Sequence, residues 1–254
     1  MSSSGILLAT MQRTPQRLPS PVRGKAWRVI HACEYARDVL PVMEGQIAAG
    51  MRPFIVTPQG AGSAELYLSG RRLEQPRALS LLRSWQDVRS WRKSILECDP
   101  ENSADLVHAH SFASGMAAVR SVSCVVYDLG TCIEEMAIAA RLIEPGSWMG
   151  RSFRVAEQFV LSRAAAVIVH SAGMQQAALE RGAWPENVFL IPDPLPPQEQ
   201  EEDRPAQPLA DDAARLTLAL GRRYAEAYRH AVARRKFSGT GPGMVSLRPA
   251  ANWG

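Results

Sequence analysis

The chain has 254 residues, of which 46% are hydrophobic and 21% are charged, and its formal net charge at pH 7 is +4. This length allows one large domain or two small ones, and the apolar content excludes a wholly disordered chain. The excess of positive charge is too small to predict a nucleic-acid partner by itself, so none is expected.

The cysteines and the N-terminal segment indicate the environment of the chain. Cys33, Cys98, Cys124 and Cys132 form no CxxC pair, so we predict buried thiols rather than a zinc site or disulfides. The first apolar stretch is short and lacks the basic lead-in of a signal peptide, and no run approaches the ~18 apolar residues of a membrane span. We therefore expect a cytoplasmic protein with no transmembrane segment, no resident cofactor and no metal ion.

Short apolar runs alternate with helical stretches along most of the chain. Runs rich in Val and Ile predict six strands, within 26–32, 53–57, 105–110, 123–128, 165–171 and 187–192. Helices are predicted between them, over 38–49, 75–97, a short stretch after His110, 134–142, 147–165, and from the cap Ser171 to Gly182. The segment beginning at Gly60 is interpreted as a loop. This alternation predicts an α/β fold with a Rossmann-like doubly wound parallel sheet.

Composition divides the chain into consecutive segments. We predict a flexible leader over 1–25, a Rossmann-like domain over 26–197, a linker over 198–208, an amphipathic helix over 209–237 and a disordered tail over 238–254. The arginines of the amphipathic helix are spread around its polar face, which favours a solvated surface, and peripheral contact with anionic lipid stays open.

Polar residues follow the predicted strands, at the edge where open parallel sheets bind ligands. They are His31, Glu34, Arg37, His108, His110, Ser111, Asp128, Gly130, Thr131, His170 and Ser171. We predict that His108 and His110 point to opposite faces, with His108 packed under a helix. Asp128 is either an acid/base partner of His110 or the cap of the next turn. Ser171 is expected to be a helix cap and His170 a surface histidine.

Three common motifs of α/β enzymes are absent from the sequence. The first strand is not followed by GxGxxG, and there is neither a Walker A lysine motif nor a GxSxG elbow. The sequence therefore does not favour a dinucleotide enzyme, a P-loop NTPase or an α/β-hydrolase.

The segment from Val125 to Leu195 resembles the N-terminal domain of the family-four glycosyltransferases, which have the GT-B fold. The matching pieces are Tyr127–Asp128, Glu157 with 164–166, Ser171, Arg181–Gly182 and 191–193. The segment 105–112 and the opening βαβ unit are also similar, so the likeness covers about residues 27–197. The resemblance implies transfer of a sugar from a nucleotide-activated donor, with retention at the anomeric carbon, and an N-terminal domain that holds a sugar or glycan acceptor.

The resemblance also implies roles for individual residues. Asp128 and His110 are the predicted catalytic residues, which would position or deprotonate an acceptor hydroxyl. The predicted acceptor-binding residues are His31, Ser111, Gly130 and Ser171. The nucleotide-sugar donor is expected as a co-substrate and not as a bound cofactor.

The sequence departs from the family pattern in three places. The first loop lacks the glycines that relatives place against the donor diphosphate, Asp193 replaces the usual Asn, and the second Rossmann-like domain with its E-x7-E donor motif is missing. We therefore expect the acceptor-binding half of a truncated or split glycosyltransferase, weakly active or inactive alone, with a protein partner that supplies the donor domain. Two alternatives stay open: a non-catalytic binding or partner module derived from a glycosyltransferase, and a different α/β enzyme that uses His110 and Asp128.

Overall fold

A computed structural model describes residues 26–34, 39–57, 60–63, 84–101, 103–192 and 208–238. The strands are β1 (Arg28–Ala32), β2 (Arg52–Thr57), β3 (Gly60–Ser63), β4 (Leu106–Ala109), β5 (Val125–Leu129), β6 (Ala166–Val169) and β7 (Val188–Leu190). The helices are α1 (Leu40–Ala48), α2 (Ser84–Cys98), α3 (Phe112–Ala118), α4 (Ile133–Ala139), α5 (Trp148–Arg163), α6 (Ala172–Glu180) and α7 (Pro208–Ser238). A short 3-10 helix, Pro185–Asn187, precedes β7.

The strands form one sheet in the order β3-β2-β1-β4-β5-β6-β7. Within the described residues, β3 alone runs antiparallel, beside β2, and the other strands are parallel to their neighbours. The chain builds the sheet outward in one direction from β1 and then in the other from β4, which is the doubly wound, Rossmann-like arrangement. The prediction of fold class is therefore confirmed, and so are the six predicted strands.

The loop predicted at Gly60 is wrong, because Gly60–Ser63 forms β3 and pairs with Phe54–Thr57 of β2. Gly, Ala and Ser carry no strand preference of their own, so the pairing with β2 and not the local sequence decides this segment.

The helix predicted over 75–97 is observed from Ser84, and 75–83 lie outside the described residues. The predicted leader, the tail after Ser238 and residues 193–207, which include Asp193 and most of the linker, also lie outside them.

Helices cover both faces of the sheet. Trp91 of α2, Met116 of α3 and Leu161 of α5 are buried against one face. Val42 of α1 and Tyr228 of α7 are buried against the other. α7 spans the segment for which a helix over 209–237 was predicted, and it closes the second face of the sheet.

Two further predictions concern the cysteines and the membrane. None of the four cysteines is in a disulfide, and Cys33, Cys124 and Cys132 are buried. Among the described helices, none combines the length and the apolar character needed to cross a bilayer.

Candidate functional site

Four histidines and one aspartate converge at the carboxyl edge of the sheet. His31 in β1 is paired in register with His108 in β4, and Asp128 lies in β5, the next strand. His110 and His170 follow the ends of β4 and β6 by one residue. Because neighbouring parallel strands end at the same edge, these five side chains meet there. We call them the histidine cluster.

The prediction that His108 and His110 face opposite ways is wrong. Side chains two residues apart along a strand project to the same face, and the two ring centroids are 3.9 Å apart. His108 is fully buried beneath Tyr224 and Tyr228 of α7, which confirms that it packs under a helix. The side chain of His110, at the strand end, is 14% exposed.

Asp128 contacts three of the four histidines. Its Oδ1 lies 2.7 Å from His170 Nε2, and its Oδ2 lies 3.5 Å from His110 Nδ1 and 3.7 Å from His108 Nε2. Burial disfavours the charged carboxylate, but hydrogen bonds from His110 and His170 outweigh burial and lower the pKa of Asp128 to about 2. Asp128 is therefore an ionised carboxylate at neutral pH.

His170 is held at both ring nitrogens. Nδ1 lies 2.8 Å from the carbonyl oxygen of Ile191, and Nε2 lies 2.7 Å from Asp128 Oδ1. Both partners are oxygen acceptors. His170 is thus held between Asp128 and Ile191, with a side chain 18% exposed, and is not a simple surface histidine.

Gln46 of α1 and Tyr228 of α7 fix the buried end of the cluster. His31 Nδ1 lies 2.9 Å from His110 Nε2, and His31 Nε2 lies 2.9 Å from Gln46 Oε1. Gln46 Nε2 donates to the Tyr228 hydroxyl at 2.8 Å, and this hydroxyl lies 2.8 Å from His108 Nδ1. Burial and the charge of His110 lower the pKa of His31 to about 3, and burial lowers the pKa of His108 well below its usual range. Both rings are therefore neutral at pH 7.

Sequence reasoning missed Gln46, Tyr228 and the contact between His170 and Asp128. One signal for Gln46 was present, because it follows Val42 and Met43 at helical spacing and so places an amide on the apolar stripe of α1. The sequence also places Tyr228 on the apolar stripe of α7. A buried tyrosine hydroxyl needs a partner, but the pattern does not say which one.

Three further predicted site residues, Ser111, Gly130 and Ser171, lie at the same edge of the sheet, and Arg37 lies outside the described residues. Ser171 caps α6, as predicted, and accepts from the Met174 N–H. Ser111 caps α3 and accepts from the Ser114 N–H, a capping role that was not predicted. Gly130 is exposed directly after β5. Their contact with an acceptor stays a prediction. His31 is fully buried, so a direct contact between His31 and the acceptor is not proposed.

Comparison with known proteins supplies the family. The family model described as "Glycosyl transferase 4-like domain" matches residues 34–194, which is more than half of the chain. The chain belongs to this family. The resemblance drawn from the sequence is confirmed, and the match includes every member of the histidine cluster except His31.

Solved glycosyltransferases resemble this glycosyl transferase 4-like domain at low identity. A sucrose-phosphate synthase from Thermosynechococcus elongatus shares 13% identity at a TM-score of 0.46, over 65% of this chain and 48% of that one. A second structure of that synthase shares 13% identity at a TM-score of 0.49, and the match covers 79% of this chain and 99% of that one. A glycosyltransferase from Rickettsia africae shares 14% identity at a TM-score of 0.43, and the match covers 77% of this chain and 50% of that one. The chain thus spans about half the length of the first of these. A search of curated proteins found no match.

Proposed function

We propose that this chain is the acceptor-binding half of a retaining glycosyltransferase, which uses a nucleotide-activated sugar held by a second domain or a partner chain. One observation carries the proposal: an ionised Asp128, whose side chain is 10% exposed, lies between His110 and His170 at the ligand-binding edge of a glycosyl transferase 4-like sheet. Transfer needs both substrates in one closed site, so the 254-residue chain is expected to be weakly active or inactive alone.

The electrostatics favour a positioning role for Asp128 over a role as general base. A base works best when its pKa lies near the working pH, and the pKa of Asp128 is about 2. His170 occupies Oδ1, which leaves Oδ2 to accept a hydrogen bond from an acceptor hydroxyl. Such a charge-assisted bond orients the hydroxyl. His110 lies beside the same oxygen and is the second residue placed to contact the sugar.

Asp128→Asn tests this role by removing the charge and keeping the shape. We expect the wild-type chain to bind at least one glycan on an array of mono- to oligosaccharides, checked by saturation-transfer NMR. Asp128→Asn should bind that glycan roughly 10- to 100-fold more weakly, because a hydrogen bond to a charged group is worth about 1.5–3 kcal/mol. Glu97→Gln removes an exposed carboxylate of α2 and is the matched control. Equal affinity of the Asp128→Asn chain, or no glycan bound by the wild type, would contradict the proposal.

A partner-binding module is the second candidate, and Trp148 favours it. This side chain is 71% exposed at the start of α5. Because α5 leads into β6, the start of α5 lies at the same edge of the sheet as Asp128. A photo-crosslinking residue at 148 is expected to capture a protein that binds a nucleotide sugar. Trp184 precedes β7 at the opposite edge, is 44% exposed and supplies the control position. Equal capture from both positions would count against this candidate.

A further inference from the structure

We propose that His31, His108 and His110 bind a divalent transition-metal ion such as Zn²⁺, and that Asp128 supplies a fourth donor. This site goes beyond the proposed function and does not depend on sugar transfer. Because it uses His110 and Asp128 Oδ2, a metal ion and an acceptor hydroxyl cannot occupy these groups at the same time. It also departs from the expectation drawn from the sequence, which assigned no metal. One ring nitrogen from each histidine lies within 4.8 Å of those of the other two. Donors bound to one zinc ion at 2.0–2.1 Å lie up to about 4.2 Å apart, so small side-chain rotations complete the set.

The outward-facing nitrogens of two rings already have partners. His31 Nε2 lies against Gln46 Oε1, and His108 Nδ1 lies against the Tyr228 hydroxyl. The other nitrogens of the two rings differ: His31 Nδ1 lies 2.9 Å from His110 Nε2, within the cluster, and His108 Nε2 has no hydrogen-bond partner among the described residues. Metal-binding histidines commonly give their second nitrogen to such an outer partner, which fixes the ring. The Tyr228 oxygen has two lone pairs and can accept from both Gln46 and His108 Nδ1.

His108 Nε2 is the observation that points most directly to a ligand. The ring is fully buried, and among the described residues this nitrogen has no hydrogen-bond partner. It lies 3.7 Å from Asp128 Oδ2, too far for a hydrogen bond. A buried polar atom left unpaired is costly. A distance of 3.7 Å does suit two donors of one ion, and an ion between them satisfies both atoms.

The charges of the cluster also suit a cation. Asp128 contributes one negative charge, and its second oxygen is fixed by His170, which orients the carboxylate. Three imidazoles with one carboxylate favour Zn²⁺, Co²⁺ or Ni²⁺ over the oxygen-preferring Mg²⁺ and Ca²⁺.

Metal titration of the purified 254-residue chain tests the site. After treatment with a chelator, Zn²⁺ and Co²⁺ are added separately, and binding is followed by calorimetry and by visible absorption of Co²⁺. We expect one ion per chain and the intense bands of four- or five-coordinate Co²⁺. His31→Gln and His108→Gln should each weaken metal binding by more than about 100-fold. This exceeds the roughly 10- to 100-fold loss that follows removal of a residue that only hydrogen-bonds to a ligand. His230→Gln is the matched control, because His230 of α7 contacts Asn187 instead.

A third variant keeps the test decisive if the two buried substitutions unfold the chain. His110→Gln changes the partly exposed member of the set and should also lose the ion. A folded wild-type chain without a 1:1 Co²⁺ complex would overturn the proposal, as would His110→Gln binding with wild-type affinity. Glycan binding is measured on the chelator-treated chain. A chain that binds the ion but binds no glycan when metal-free would support this site and contradict the proposed function, so the two failures are distinguishable.

Discussion

Glu157 of α5 is a fully buried acid. Its Oε1 accepts a hydrogen bond from the Ile133 N–H at 3.1 Å, and its Oε2 lies 3.2 Å from Arg181 Nε without hydrogen-bond alignment. Burial raises the pKa of Glu157 from 4.5 to about 7, although Ile133 and Arg181 act in the opposite direction. Between these values the folded chain binds more protons than the unfolded chain. The stability due to protonated Glu157 is therefore complete below pH 4.5 and is lost as the pH rises through 7.

Glu157→Gln is expected to remove most of this pH dependence. Glutamine keeps an acceptor for the Ile133 N–H and carries no charge at any pH. Measured by urea unfolding at pH 5, 6, 7 and 8, the loss of unfolding free energy over this range should shrink by up to about 3 kcal/mol. Glu180→Gln changes an exposed acid of α6 and should keep the wild-type slope. An unchanged slope in Glu157→Gln would show that Glu157 is not the titrating group.

Individual contacts of the candidate site were predictable only in part. The strand ends located His110 and Asp128, because a continuous apolar run shows where each strand stops. The hydrogen bond between Gln46 and Tyr228 joins positions 182 residues apart, and that between His31 and His110 joins positions 79 apart. Such contacts depend on the order of the strands and on where α7 docks, and local pattern encodes neither.

At the level of elements, α1 and α7 cross at two glycines. A Cβ on Gly221 would lie 2.7 Å from backbone atoms of Gly45, and a backbone, unlike a side-chain tip, cannot rotate away. Gly221→Ala is therefore expected to force the helices apart and to destabilise the chain by about 1–3 kcal/mol, the usual cost of overpacking. Because Gln46 is next to Gly45, the contact between Gln46 and Tyr228 should weaken too. Urea unfolding and the chemical shifts of the histidine rings measure both effects.

Gly173→Ala in α6 is the matched control for this substitution. Gly173 is exposed, and the nearest atom to a Cβ there is Ser171 Oγ at 3.9 Å. Alanine favours a helix over glycine by up to about 1 kcal/mol, so this variant should be neutral or slightly stabilised. If Gly221→Ala were as stable as Gly173→Ala, the close approach of the two helices would be unnecessary for folding.

The elements themselves were more predictable than their contacts. β6 is fully buried along its whole length, and such a run of Ala, Val and Ile suits a strand covered on both faces. β3 has no comparable signal, since GAGS contains neither branched nor aromatic side chains and is specified by its pairing with β2. The cap residues predicted both ends of α6. Ser171 marks its start, and Gly182, where φ is +89°, follows its end.

For the whole molecule, α7 is the element that completes the second face of the sheet. Tyr224 and Tyr228 are buried on Leu106, Val126 and the strands beside them, which would otherwise present an apolar surface to water. The same helix carries the hydroxyl that holds the buried end of the histidine cluster. A sheet must bury both faces to be stable, so fold and site depend on α7 together.

A chain ending after residue 207 is therefore expected to lose its fixed tertiary packing. It should bind the dye ANS and lose near-ultraviolet circular dichroism while keeping much of its far-ultraviolet signal, because the strand and helix patterns upstream are unchanged. A peptide of residues 208–238 added in trans should restore the near-ultraviolet signal. The same peptide with Tyr228→Ala should restore it less, since this residue makes both buried hydrogen bonds. A truncated chain with native near-ultraviolet circular dichroism would mean that the other face of the sheet suffices to fix the fold, and α7 would then be an added helix and not part of the core.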